Sequence, residues 1–572
     1  MSSTGKSRTQ PRPAAAEPAA AGGERAVADE AKASLARHSA LMASGTLVSR
    51  VLGFARVVVL AAAVGASAQS VGGQVFDLAN KAPNVFYMLL AGGVLNAVLV
   101  PQIMRSFKMP DGGREYLDRL VTLALLVMGG ATLVLTLAAP LVVRLYSEGW
   151  PGDWLALATL MAFWCLPQVF CYGLYTVLGQ VLNAHSRFGA YMWAPALNNV
   201  VAIAAVGAFL VLYPGAASLE PGAWTPGMVA LLAGGHTAGV AAQALVLLVP
   251  LRRAGFRYRP RLGFRGMGLG TAGKVAGWTF AGVAVGQLAF LLTSRVMTGA
   301  GAALEAAGRD GAAGPSYTNA YLLFMLPHSI VAVSLVTALF TRISGAAADG
   351  AVRAVRRDFS SGARTVAAAG ALATTAFVVL GRPIGVTLFG EDGRWIGEVL
   401  VAMAVGLVPF GVTYLVQRVF YAYEDARTPF VVSVVVAAVT TAGNVAIWLL
   451  VEPRWQVVGI GVVMSTANVV GCALSLVLLR RRLRALDGGG VDGHRLLRTG
   501  VRLAIISAVS GGLVWAAARA LTALLGAGAA GSLAVTVAGG ALLLVVFTAL
   551  CRLMRVHELT DLVTPLLRRV HR

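Results

Sequence analysis

Apolar stretches of roughly 20–30 residues recur along almost the whole of this 572-residue chain, and each is long enough to cross a hydrocarbon core of ~30 Å. About 14 such windows can be drawn, near 40–66, 75–103, 118–145, 154–183, 187–213, 225–251, 275–300, 316–341, 362–389, 396–423, 428–451, 456–479, 499–524 and 530–553. Inside a bilayer every backbone polar group must find an internal partner, so stretches of this length are helices. Hydrophobic residues make up 57% of the chain and charged residues 13%, with a mean hydropathy of +0.74. These totals exclude a string of soluble domains. The expected fold is an all-α polytopic membrane protein of about 14 transmembrane helices.

The gaps between the windows carry the charge, and they carry it unevenly. About 35 Lys and Arg residues fall in every second gap and in the two tails, against three (Arg309, Arg394 and Arg454) in the opposite gaps. Cationic loops stay on the cytoplasmic side of a membrane, so both termini are expected there. This also accounts for the net charge of +22 without any nucleic acid partner. Residues 1–39, rich in Ala, Pro and charge, lack a signal-peptide core and read as a disordered cytoplasmic tail. The four cysteines (Cys165, Cys171, Cys472, Cys551) fall within the windows without CxxC spacing, which gives neither a disulfide frame nor a metal site.

The chain also repeats itself. Pro167-x4-Tyr172 recurs as Pro409-x4-Tyr414, Val181 as Val419, Asn199 as Asn444, and Val100–Ile103 echoes Phe340–Ile343, at offsets of 238 to 245 residues. Equivalent positions six spans apart face the membrane in the same sense, so this is a parallel duplication. Two six-helix lobes are expected, 40–251 and 275–479, joined by a basic cytoplasmic loop at 252–274. A basic cytoplasmic linker at 480–498 then leads to an additional helix pair at 499–553 and a cytoplasmic tail at 554–572, part of which reads as an interfacial amphipathic helix.

Charge inside a span costs ~2.5–3.5 kcal/mol at the bilayer centre, so each instance needs a reason. The first span carries Ser49-Arg-Val-Leu-Gly-Phe-Ala-Arg56. Arg50 could snorkel to the cytoplasmic interface. Arg56 lies about 16 residues in, or ~24 Å at 1.5 Å per residue, and has no such escape. A wet cavity would accommodate both, with Gly53 between them as a bend point. In the second span Asp77 and Lys81 share one helical face, either as a self-neutralising pair or as cavity lining. Asn84, Tyr87, Gly92, Gly93 and Asn96 follow, small and polar as expected of a helix facing protein or water. Arg144, Arg295, Arg382 and Arg519 lie near outer ends and read as interfacial anchors. Arg418, near a cytoplasmic end, reads as a snorkelling residue. Pro327-His328 breaks the eighth span and reads as a packed kink. No mid-span carboxylate pair, Ser-His-Asp arrangement or phosphate loop is present in the sequence, so no enzyme chemistry or cofactor is indicated. Guanidinium groups in a wet cavity suit an anion, phosphate above all. That points to a transporter.

Ser49–Arg56 resembles the first-helix signature of the MurJ/MviN lipid II flippases, within the multidrug/oligosaccharidyl-lipid/polysaccharide exporter superfamily. Asn80-Lys-Ala-Pro-Asn84 with Leu90-Ala-Gly-Gly-Val-Leu-Asn96, Tyr321–His328 and the Asn183–Phe188 turn are similar to further blocks of that family. The resemblance implies movement of lipid II, the polyprenyl-linked peptidoglycan precursor, between leaflets of the bacterial plasma membrane by alternating access. By the same resemblance Arg50 and Arg56 meet its pyrophosphate, and the pair 499–553 carries the lipid tail. Ser49, Lys81, Asn84 and Tyr87 are weaker candidates for the cavity lining, and Gly53, Gly92, Gly93 and Pro327 are candidate hinges. Cell-wall synthesis proteins are possible partners. The chain departs from the family pattern at Val57, Tyr87, Gly92 and Leu322, where charged residues are common. It has no acidic residue in its seventh or eleventh span; Asn444 matches one ligand of the family's proposed sodium site and Trp448 replaces another. The coupling ion is therefore open. The alternatives are a flippase for another polyprenyl-linked glycan, a cation-coupled drug exporter, whose substrates would favour carboxylates, and a non-transporting cell-wall scaffold, for which a mid-span arginine has no use.

Overall fold

The computed structural model describes residues 44–90, 113–185, 188–264 and 273–558. The candidates Gly92, Gly93 and Asn96, the Val100–Ile103 echo, the tail 1–39 and the end of the C-terminal tail lie outside these residues. Among the described residues the structure is helical, and its extended pairing is one isolated bridge between Ser67 and Ala312.

In chain order the first half comprises α1 (Ser44–Val64), α2 (Val71–Leu90), α3 (Arg114–Leu137), α4 (Ala139–Tyr146), α5 (Gly152–Cys165), α6 (Gln168–Ala184), α7 (Phe188–Leu212) and α8 (Pro226–Arg253). The second half comprises α9 (Gly273–Ala306), α10 (Gly314–Ala348), α11 (Val352–Phe389), α12 (Gly393–Ala404), α13 (Leu407–Ala422), α14 (Arg427–Leu450) and α15 (Pro453–Asp487). The chain then closes with α16 (Gly493–Leu525) and α17 (Ala529–Leu553).

By length and apolarity alone, 12 stretches among the described residues qualify as membrane spans, one of them running from Val352 to Ala404. That stretch reverses direction partway. Gly390 takes a left-handed φ of 64° between α11 and α12, a conformation that suits glycine. A Cβ on Gly385 would then lie 2.0 Å from the Gly393 carbonyl oxygen, and one on Gly397 would lie 2.6 Å from that of Gly381. Four glycines at four-residue spacing let two helix backbones touch, as small residues do between membrane helices.

The duplication reappears in the breaks. α5 ends at Cys165 and α6 resumes at Gln168, just after Pro167; α12 ends at Ala404 and α13 resumes at Leu407, with Pro409 in its first turn. Proline is tolerated at a helix start because the N–H it lacks would be unpaired there anyway. Contacts repeat as well. Asn199 of α7 donates to the Ser49 carbonyl of α1 at 2.8 Å, and Asn444 of α14 donates to the Thr293 hydroxyl of α9 at 2.8 Å.

One difference from the sequence reading concerns the basic gaps. The stretch 480–498 is mostly helix: α15 runs on to Asp487 and α16 begins at Gly493, while the gap before α11 shrinks to three residues, 349–351. Arginine is a good helix former, so helices continue past their apolar windows into water. Arg356 of α11 grips Asp487 at the end of α15 at 2.6 Å. The closing pair α16–α17 packs against α11, with Gly511 against Thr375 and Gly539 against Leu380. Its other flank exposes Leu513, Val537 and Val545.

Candidate functional site: a junction between the two halves

Helix α1 runs unbroken from Ser44 to Val64 and touches both halves. Its Phe54 and Ala61 pack on the core of α9, α10, α12 and α13, while Gly53 lies close to Asn199 of α7, 3.4 Å from an added Cβ. Gly53 is thus a site of close approach within a continuous helix. The two arginines diverge from here. Arg50 donates to the Ser329 hydroxyl of α10 at 3.0 Å. Arg56 is within electrostatic reach of Tyr172 on α6 and His236 on α8. Both side chains are partly exposed, and among the described residues neither has a carboxylate within ion-pair distance. Their helical positions are six residues, or about 9 Å, apart along the axis.

Beside Arg56, the first half holds a chain of polar side chains. Gln168 donates to Asn80 at 3.2 Å and to Thr237 at 3.0 Å, and Tyr172 donates to Gln168 at 3.3 Å. Tyr87 shares a 2.5 Å hydrogen bond with Thr176 and packs its ring 5.4 Å from that of Tyr172. Buried His236 binds the Leu232 carbonyl through Nδ1 and has no partner for Nε2 among the described residues. It follows directly on a π-turn at 230–234. A second π-turn, 328–332, follows Pro327 and places Ser329 at Arg50. Such turns interrupt the regular ladder and often sit where side chains serve a function. His328 packs between Phe410 and Tyr414, as a packed kink requires.

Lys81 is held by Asp77 at 2.7 Å and lies over the Phe290 ring of α9; Asn84 is exposed. Asp77 also accepts from Thr318 of α10 at 2.8 Å, across the junction. This is the start of a seal. The principal contacts between the two halves join α2 and α4 to α9 and α10, at the ends of these helices away from the basic gaps. Ala68 N–H donates to Gly311 at 3.0 Å, Ser316 donates to the Ala66 carbonyl at 2.6 Å, and Ala66 N–H donates to Asp392 at 2.7 Å. A void of about 20 Å³, room for one or two waters, remains inside this seam beside Lys81 and Asp77. Counting along the helices, Arg56 lies about 12 Å and Arg50 about 21 Å below the sealed end of α1.

Arg295 and Arg382, expected as interfacial anchors, each also hold a carboxylate. Arg295 of α9 pairs with Glu148 of the first half and donates to the carbonyls of Arg144 and Leu145, while Arg382 pairs with Glu398. No spacing rule links residues 147 positions apart, so the sequence carried no signal for the first pair. Arg418 is held locally by the rings of Tyr414, Tyr421 and Phe340. Among the described residues no group of three or more His, Cys, Asp or Glu could hold a metal ion.

A family model described as lipid II flippase MurJ matches residues 60–539. Its match begins just past Arg56 and so does not speak to the arginine pair. Probable lipid II flippases MurJ from Haemophilus influenzae and Rhizobium tropici are 27% and 26% identical; the alignments cover 77% and 86% of this chain and 85% and 89% of theirs. The lipid II flippase MurJ of Burkholderia cenocepacia is 28% identical over 77% of this chain and 82% of its own. Among solved structures, lipid II flippase MurJ in an inward closed conformation superposes with a TM-score of 0.67 at 17% identity, covering 90% of this chain and 99% of that one. An inward-facing multidrug MATE family transporter of the MOP superfamily gives 0.61 at 16% identity, over 77% and 96%. At these identities the two structures speak to the fold alone. The match over most of the length, together with the relatives that align with it, decides the family: this chain belongs to the lipid II flippase MurJ family.

Proposed function

We propose that this chain moves lipid II from the inner to the outer leaflet of the bacterial plasma membrane by alternating access, supplying cell-wall synthesis. It acts as a carrier and not as an enzyme. Residues 40–251 and 275–479 are its two moving lobes, and both termini are cytoplasmic, as the basic gaps argue. With that orientation the seam through Asp77, Thr318 and Ser67 closes the outer side, and the substrate enters from the cytoplasmic side. Arg50 and Arg56 bind the diphosphate, since a guanidinium fork fits phosphate oxygens bidentately. Ser49 and Tyr87 line the same space, whereas Lys81 is engaged by Asp77 and contributes less. The α16–α17 pair, apolar on its free flank, takes the polyprenyl tail.

The observation that carries this reading is the pair of guanidinium groups that have no carboxylate partner among the described residues, at the junction of the two halves, in a chain of this family. A diphosphate is common to other polyprenyl-linked glycans, so the sugar must be tested directly. In bacteria that depend on this chain, labelled lipid II should reach the outer leaflet, and its externalisation should stop when the chain is depleted. Continued externalisation after depletion, with cell-wall growth lost, would overturn the proposal.

A further inference from the structure

A second feature of the molecule lies beside the sealed seam, away from the two arginines of α1. A cavity of about 1430 Å³ opens between the end of α11, the end of α16 and the start of α17, at the level of the sealed seam. Its walls are part apolar, with Val379, Pro383, Val386 and Ala518, and part charged.

Most of the charge is already committed. Arg382 pairs with Glu398 and Arg394 with Asp310, while Asp392 accepts the Ala66 N–H. Two groups are left over. The Arg519 guanidinium lies over the Trp515 ring, 4.9 Å from its centroid, and has no carboxylate within ion-pair distance among the described residues. Glu391, exposed on the opposing turn, has no cation in reach among them. The cavity thus presents one free positive and one free negative group above an apolar wall. Arg519 stands six residues, or about 9 Å, inside the end of α16, a depth matching the boundary between headgroups and acyl chains. A tryptophan beside it is the usual residue of that layer. The lining carries three arginines against Asp310, Glu391 and Asp392, so a dianionic headgroup would find no excess of positive charge. A singly anionic headgroup would meet Glu391 unpaired.

We propose that this cavity binds the headgroup of a zwitterionic aminophospholipid, its phosphate on Arg519 and its ammonium on Glu391. Its placement in the outer leaflet rests on the orientation proposed above; the binding itself does not.

Native mass spectrometry of the full chain in detergent, titrated with single phospholipids, tests the binding. Phosphatidylethanolamine should be retained about tenfold more tightly than phosphatidylglycerol. Arg519→Ala should weaken phosphatidylethanolamine by about tenfold, the scale of a lost charge-assisted phosphate contact. Glu391→Gln should remove the preference for phosphatidylethanolamine over phosphatidylcholine, whose methylated ammonium has no N–H to donate. Soluble phosphoethanolamine should bind far more weakly than the lipid; equal binding would refute a lipid occupant. Phosphatidylglycerol bound as tightly as phosphatidylethanolamine, or both variants binding like the parent at unchanged melting temperature, would overturn the site. Labelling of Arg519→Cys by a membrane-impermeant maleimide on intact cells supports the outer leaflet, and labelling only after permeabilisation overturns that placement alone.

Discussion

Removing the Asp77 carboxylate tests how firmly the seam is held. In the sealed state Asp77 accepts from Thr318 across the junction at 2.8 Å and pairs with Lys81 on its own helix at 2.7 Å. The two contacts count differently. The Lys81 pair lies within α2, so it persists whether or not the halves separate and cancels from the equilibrium between states. The Thr318 bond exists only when the seam is closed, and a hydrogen bond to a charged group is worth about 1.5–3 kcal/mol. Asp77→Ala should therefore raise the population of the opened seam by about tenfold to a hundredfold, at 1.4 kcal/mol per factor of ten. Asp77→Asn keeps an acceptor and loses the charge, so its effect should be smaller, about 1 kcal/mol. Ser67 reports the opening, because its side chain is 3% exposed and sits in the bridge to Ala312. The rate at which a polar maleimide labels Ser67→Cys, corrected for the parent's four native cysteines, follows the open fraction. Labelling of the Ser67→Cys/Asp77→Ala protein within twofold of Ser67→Cys alone would refute the assignment of Asp77 to the seam.

Two further outcomes are expected. Gly385→Val places a Cβ 2.0 Å from the Gly393 carbonyl oxygen, a backbone atom that no side-chain rotation can move aside; the purified protein should lose about 1–3 kcal/mol or more, read as a lower melting temperature in detergent. An unchanged melting curve would refute the tight α11–α12 turn. Because α14 carries no acidic residue and the acidic residue of α9, Glu305, lies in its last turn, exchanging sodium for potassium should leave lipid II externalisation unchanged; a dependence on sodium would show that uncharged oxygens suffice for coupling.

Much of the fold was legible because it follows from solvent. Apolar windows set the helices, and Pro167, Pro409, Asn199 and Asn444 carried the duplication through to matching breaks and matching contacts. Local spacing also brought out the Asp77–Lys81 pair, since four residues share a helical face. What stayed hidden depends on partners far apart in the chain. Arg295 reads as an anchor until Glu148 is seen beside it, and Thr318 gives no hint of Asp77. The α11–α12 turn falls in the gap between the windows 362–389 and 396–423, but the close packing of its glycines was masked, because glycine is common in membrane helices and only the contact geometry shows why these four are needed. For Arg50 and Arg56, depth in the span marked them as exceptions, but their separate surroundings, a hydrogen bond to Ser329 for one and the neighbourhood of Tyr172 and His236 for the other, required the fold.

The central claim is that these two arginines hold the substrate's diphosphate. It is tested most directly by complementation in a bacterium depleted of its own flippase, with Arg50→Ala, Arg56→Ala and the double variant each brought to the parent's level in the membrane. Each single variant should fail to restore growth, because a charge-assisted phosphate contact is lost. Full rescue by the double variant, at that same level, would contradict the account.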